Sequence, residues 1–113
     1  MYLVVSSILN FLFSDPPGPA SLVFEPKRVV KKSKVTLMCS VSDLGRPPSN
    51  TFRWVRGTHL IQDVTSANWT IDPVTLETEA NFTCSAYNLG GEGDSASVYI
   101  EVFGELALKI NFV

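Results

Sequence analysis

Apolar residues fall at alternate positions in several short runs of this 113-residue chain. Val35, Leu37, Cys39 and Val41 lie on one side of an extended backbone and Thr36, Met38 and Ser40 on the other, the period-two mark of a half-buried strand. Phe52 and Trp54 share a side in the next run. Trp69 and Ile71 do the same, with Val74 in the turn beyond them. Phe82, Cys84 and Ala86 form a fourth inward row, and Ala96, Val98, Ile100 and Val102 a last one within residues 95–103. Leu60 and Ile61 read as one more short strand, and too few residues separate Leu60 from Trp69 for two further strands. Residues 43–50, Gly57 and Gly90-Gly91-Glu92-Gly93 carry the Gly, Pro, Ser and Asn of turns. Nowhere is an apolar stripe sustained at the 3.6-residue helical period. The expected fold class is all-β, with Leu37, Trp54, Trp69, Ile71 and Phe82 supplying the core.

The two ends break this pattern. Residues 1–13, MYLVVSSILNFLF, are an apolar run shorter than the roughly 20 residues that cross a bilayer, within range of the core of a secretion signal. They lack a basic start, and Leu12 before Phe13-Ser14 is a poor cleavage site, so a fragment boundary or a wrongly placed start is the other reading. Pro16, Pro17 and Pro19 predict a stiff linker. This divides the chain into an apolar leader and linker (1–19), a domain (20–103), and a tail or start of a next segment (104–113). In that tail Leu106, Leu108, Ile110 and Phe112 alternate in strand fashion. With no stretch long enough for a membrane-spanning helix, the chain is expected to be a piece of a receptor rather than a whole one.

Composition narrows the chemistry. At 45% apolar and 18% charged residues the chain can bury a core. A net charge of −2 argues against nucleic-acid binding. Five of the nine basic residues, Lys27, Arg28, Lys31, Lys32 and Lys34, nevertheless cluster. They read as a solvated sheet edge that discourages strand pairing, with an anionic glycan or lipid site as the alternative. His59 is the only histidine and is read as a surface loop residue; no His, Asp or Glu cluster has metal-ligand spacing. Glu77 and Glu79 read as ordinary exposed charges on a turn, not a catalytic pair. Gly90-Gly91-Glu92-Gly93 lies between strands and so is a hairpin, not a phosphate cradle. No catalytic residue, cofactor, metal or small-molecule substrate is expected.

Cys39, Trp54, the Trp69-x-Ile71-x-x-Val74 stretch and above all Cys84-x-Ala86-x-Asn88-x-Gly90 resemble the immunoglobulin superfamily, I-set or C2 type, over residues 20–103. The resemblance implies a Greek-key, immunoglobulin-like β-sandwich of two antiparallel sheets, pinned by a Cys39–Cys84 disulfide against buried Trp54. Closing that loop would stabilise the fold by roughly 4 kcal/mol, and only in an oxidising setting. Thr78, Ala80 and Phe82 depart from the family's usual Asp, Gly or Ala, and Tyr before the second cysteine. Phe82 has no hydroxyl for a tyrosine corner, so one hydrogen bond to the preceding turn is expected to be missing.

Functionally, the chain looks like an extracellular binding module of cell-adhesion receptors, similar to repeats of nephrin-like, sidestep-like or echinoid-like proteins. It would be either part of a larger cell-surface protein or secreted. Two N-glycosylation triplets, Asn68-Trp69-Thr70 and Asn81-Phe82-Thr83, point to the same compartment. By alternation with Trp69 and Phe82, Asn68 and Asn81 should point outward from opposite sheets. Glycans there would shift contact toward the far end of the second sheet, where Arg46, Asn50, Arg53, Tyr87, Asn88, Leu89 and Glu92 are the candidate binding residues. The expected partner is a protein, homophilic or heterophilic, of the same superfamily. A soluble immune or matrix protein and an intracellular muscle-type I-set domain are the alternatives.

Overall fold

A computed structural model of the chain describes residues 14–104; the readings of residues 1–13 and 105–113 lie outside the described residues. The alternating runs become strands β1 (Ala20–Glu25), β2 (Val29–Val30), β3 (Val35–Val41), β4 (Thr51–Arg56), β5 (His59–Ile61), β6 (Asn68–Ile71), β7 (Ala80–Asn88), β8 (Gly91–Glu92), β9 (Ala96–Ile100) and β10 (Val102–Phe103). A single 3-10 turn, Leu76–Thr78, precedes β7. Sheet I orders β1-β3-β6 and sheet II orders β5-β4-β7-β8, with β9 also on β7, all antiparallel.

One pairing departs from a purely antiparallel sandwich: β10 runs parallel to β2, with Val102 opposite Val29. Pro26 has no N–H for a ladder, so β1 stops at Glu25 and the chain crosses to β10. The basic cluster falls on this crossover and the turn after it. Lys27, Arg28, Lys31, Lys32 and Lys34 are all exposed. Lys27 pairs with Glu25 at 3.7 Å, and the Arg28 guanidinium lies 4.1 Å above the Phe103 ring.

The inward rows meet between the sheets. Trp54, Phe82 and Leu37 are fully buried, and the Cys39–Cys84 disulfide joins β3 to β7 across the core. Trp69 stands edge-on to both Trp54 and Phe82, with centroids 5.5 and 5.6 Å away, an arrangement that aromatic quadrupoles favour. It and Ile71 are half-buried, because β6 is an edge strand. The Trp54 indole N–H donates to the Ser66 carbonyl at 2.9 Å. The segment around Ser66 needs no strand of its own: the Thr65 carbonyl accepts from Phe52 N–H, and the Ala67 carbonyl from Cys39 N–H. One short connection thus satisfies backbone donors of both sheets.

The corner before β7 is tied differently from the family's usual pattern. Buried Thr78 accepts the Thr75 backbone N–H on its hydroxyl at 3.1 Å. Glu79 accepts the Val102 N–H at 3.0 Å, linking the corner to β10. Glu79 is therefore more than the ordinary surface charge that the sequence suggests. Glu79→Ala should cost about 1 kcal/mol, since it strands a part-buried N–H, read as a lower denaturant midpoint.

The predicted stiff linker is instead docked. Asp15 pairs with Arg46 through two backbone bonds of 2.8 and 2.9 Å, Gly18 N–H donates to the Asp43 carbonyl, and Pro17 is buried. Between β8 and β9 the register on β7 slips by one residue, a bulge that turns the Asp94 carbonyl toward Ala20 N–H at 2.9 Å. Proline conformation stiffens this stretch, but hydrogen bonds to two loops hold it in place.

Candidate functional site

Three loops and hairpins converge at the end of the sandwich where residues 14–18 dock. Asn88 is their junction. Its amide nitrogen donates to the Asp15 carbonyl at 2.7 Å and the Pro47 carbonyl at 2.8 Å, while its oxygen accepts Gly90 N–H at 2.7 Å. These bonds use both amide protons, so Asn88 acts first as a bridge among the N-terminal segment, the loop before β4 and the β7–β8 turn. Ser49, buried, reinforces the loop: its one hydroxyl proton lies between the Tyr87 carbonyl at 2.9 Å and the Thr51 carbonyl at 3.1 Å.

The outer face of sheet II carries the charged and aromatic candidates. Phe52 and Trp54 point inward, which puts Arg53 outward on β4; Tyr87 sits outward on β7 opposite Thr51, and Glu92 opposite Tyr87 on β8. Arg53 Nη1 donates to a Glu92 carboxylate oxygen, and the guanidinium lies 5.1 Å above the Tyr87 ring. The side chains of Arg53 and Glu92 remain 47% and 41% exposed, so the pair adds little to stability and is open to a partner. Tyr87 separates two hollows. One, about 300 Å³, is lined by Pro47, Pro48, Asn50, Thr51, Asn88 and Leu89. The other, about 170 Å³, is lined by Phe52, Arg53, Leu60, Ile61, Val64 and Thr65.

The structure therefore brings together Asn50, Arg53, Tyr87, Asn88, Leu89 and Glu92. Arg46 lines neither hollow; its guanidinium faces the Asp15 carboxylate at 3.8 Å. Leu60, half exposed on β5, belongs to the same face and was not among the sequence candidates. Its signal was available in principle, since Ile61 pairs with inward Trp54 and Leu60 must then face out beside Val55. His59 lies on β5 rather than in a loop, and is exposed. Among the described residues no group of three or more His, Cys, Asp or Glu could hold a metal ion. No helix of the described residues is long and apolar enough to cross a membrane.

Comparison with known proteins agrees with this architecture. A family model described as "Immunoglobulin domain" matches residues 19–102. No curated protein matches the chain in sequence. Among solved structures, the full ectodomain of mouse nectin-like molecule 4 is similar at 22% identity and TM-score 0.64, over 81% of this chain and 32% of that one. Murine CEACAM1b is similar at 20% identity and TM-score 0.61, over 79% and 46% of the two chains. An amphioxus IgVJ-C2 molecule is similar at 25% identity and TM-score 0.60, over 77% and 44%. The chain thus spans less than half the length of each of these structures.

Proposed function

The chain belongs to the immunoglobulin domain family, and from that premise we propose that it is an extracellular, non-catalytic recognition module of a larger cell-surface protein. Its partner is another protein, met through the outer face of sheet II near the β7–β8 turn. The observation that carries this reading is the surface group of exposed Arg53 and Glu92 around half-buried Tyr87, which lines both hollows. Arginine and tyrosine are the side chains that most often anchor protein interfaces, and a fixed strand scaffold holds them at little entropic cost to binding. The buried disulfide and the two exposed sequon asparagines favour an oxidising, extracellular setting. The similar solved structures include a nectin-like ectodomain and CEACAM1b, which adds weight to a surface-recognition role.

A face of one module buries a modest area, so single contacts should be weak and gain strength from repetition at a cell junction. The full chain displayed on beads or cells should aggregate them or capture partner-bearing cells. The pair Arg53→Ala and Tyr87→Ala should weaken that binding about 10- to 100-fold, with the thermal midpoint nearly unchanged. Unaltered aggregation by the double variant would refute the assignment of this face.

A further inference from the structure

We propose that Tyr99 is a stacking platform for a glycan carried by Asn81, so that modification at one strand is received by the next. This rests on the extracellular reading above. Asn81 on β7 and Tyr99 on β9 are direct cross-strand partners, and both side chains face outward from sheet II. Neighbours in this position have β-carbons about 4.5–5.5 Å apart, within reach of the first sugar on the Asn81 amide. Tyr99 is 56% exposed, and its side chain makes no hydrogen bond, ion pair or ring contact among the described residues. A bare tyrosine ring on a strand face is ready to receive an apolar C–H surface.

The chemistry on the two sides matches. A β-linked N-acetylglucosamine presents axial C–H bonds, which carry partial positive charge, on one face of its ring. The tyrosine ring offers a negative face, so the two surfaces attract while excluding water. In the modification itself, the Asn81 amide nitrogen forms a bond to the anomeric carbon of a lipid-pyrophosphate-linked oligosaccharide. The bond from that carbon to the pyrophosphate oxygen breaks, the amide loses one proton, and the lipid pyrophosphate leaves. Asn68 contrasts usefully: it is also exposed, but its cross-strand partner on β3 is Met38, with no aromatic face.

The placement bears on recognition. Asn81 and Tyr87 lie at opposite ends of β7, about 20 Å apart along an extended strand. A glycan resting on Tyr99 would occupy the far end of the sheet and leave the Arg53–Tyr87 end open. The platform thereby turns a bulky, mobile group into a fixed boundary of the binding face.

The test is a double-mutant cycle on the full chain secreted from cultured mammalian cells, with its glycans trimmed enzymatically to single N-acetylglucosamine units. Tyr99→Ala should lower the thermal midpoint by about 4 °C more in the glycosylated protein than in the Asn81→Gln background. Tyr99→Phe should keep the coupling, because the ring face and not the hydroxyl makes the contact. Nuclear Overhauser contacts between the sugar and the Tyr99 ring in the unmutated glycoprotein give a second readout that needs no variant. Equal midpoint shifts in the two backgrounds, or absence of those contacts, overturn the proposal. So does an empty Asn81 beside an occupied Asn68 by mass spectrometry. Chain isolated from its own cells with reduced cysteines and both sequons bare would instead overturn the extracellular reading, whatever the cycle gives.

Discussion

Replacing Cys39 and Cys84 together by alanine should lower the unfolding free energy by about 4 kcal/mol, the entropy of closing a 45-residue loop in the denatured chain. Single domains of this size hold only about 5–15 kcal/mol in all, so the change takes much of the margin. Alanine is the right substitute because both sulfurs sit in the core, where a serine hydroxyl would be buried without an assured partner. The folded state loses contacts too, since the bridge joins β3 to β7 within the cluster that includes Trp54 and Phe82. The expected result is a much lower urea midpoint in the double variant, and a similar drop when the native protein is unfolded under reducing conditions. A midpoint unchanged by reduction would mean that the bridge does not form in solution. It would also remove the main physical support for an oxidising compartment.

Much of the fold was legible because period-two alternation has only one structural outcome once one face is buried. Val35 to Val41 could be placed to the residue, since sliding the strand by one would expose Val35, Leu37 and Cys39 together. Phe82, Cys84 and Ala86 were equally constrained. Trp69 was read correctly as inward, but its partial exposure was not, because alternation reports the face of a strand and not whether the strand lies at an edge.

Contacts between segments distant in sequence were illegible for a related reason. Nothing local to Pro16-Pro17-Gly18 says that Asp43, Arg46 and Asn88 will supply hydrogen-bond partners. Composition alone makes that stretch a linker. At the candidate site the same divide holds. Arg53, Tyr87 and Glu92 were expected at one end of the second sheet, and the β4–β7–β8 register puts all three on its outer face. That Asn88 would be consumed by three internal bonds depends on loop conformations that no period encodes. Arg53, Tyr87 and Glu92 thus lie together on strands, whereas Arg46 in a loop and Asn88 at the end of β7 brace the docked N-terminal segment.

Gly45→Ala should destabilise the protein by about 3 kcal/mol and release residues 14–18 from the body. Gly45 has φ +77°, a left-handed conformation costing a residue with a β-carbon about 1 kcal/mol. A β-carbon there would also lie 2.6 Å from the Asp15 carbonyl oxygen, 2.7 Å from the Asn88 amide nitrogen and 2.9 Å from the Pro16 carbonyl carbon. Two of these neighbours are backbone, so the docked segment must move away. Its paired bonds to Arg46 and the one from Asn88 are then lost, at about 1 kcal/mol for each bond not replaced by water. Gly57 supplies the control. It has φ +61°, but a β-carbon there would meet nothing within 4 Å. Gly57→Ala should therefore cost only the conformational part, about 1 kcal/mol. Hydrogen exchange at the Asp15 and Arg46 amides should accelerate in Gly45→Ala and stay slow in Gly57→Ala. Equal losses of stability in the two variants would show that the N-terminal segment is not packed as described. Because Pro47 and Asn88 also line the larger hollow beside Tyr87, releasing the segment should weaken partner binding as well. That outcome would tie the proline-rich entry of the chain to the shape of the face proposed for recognition.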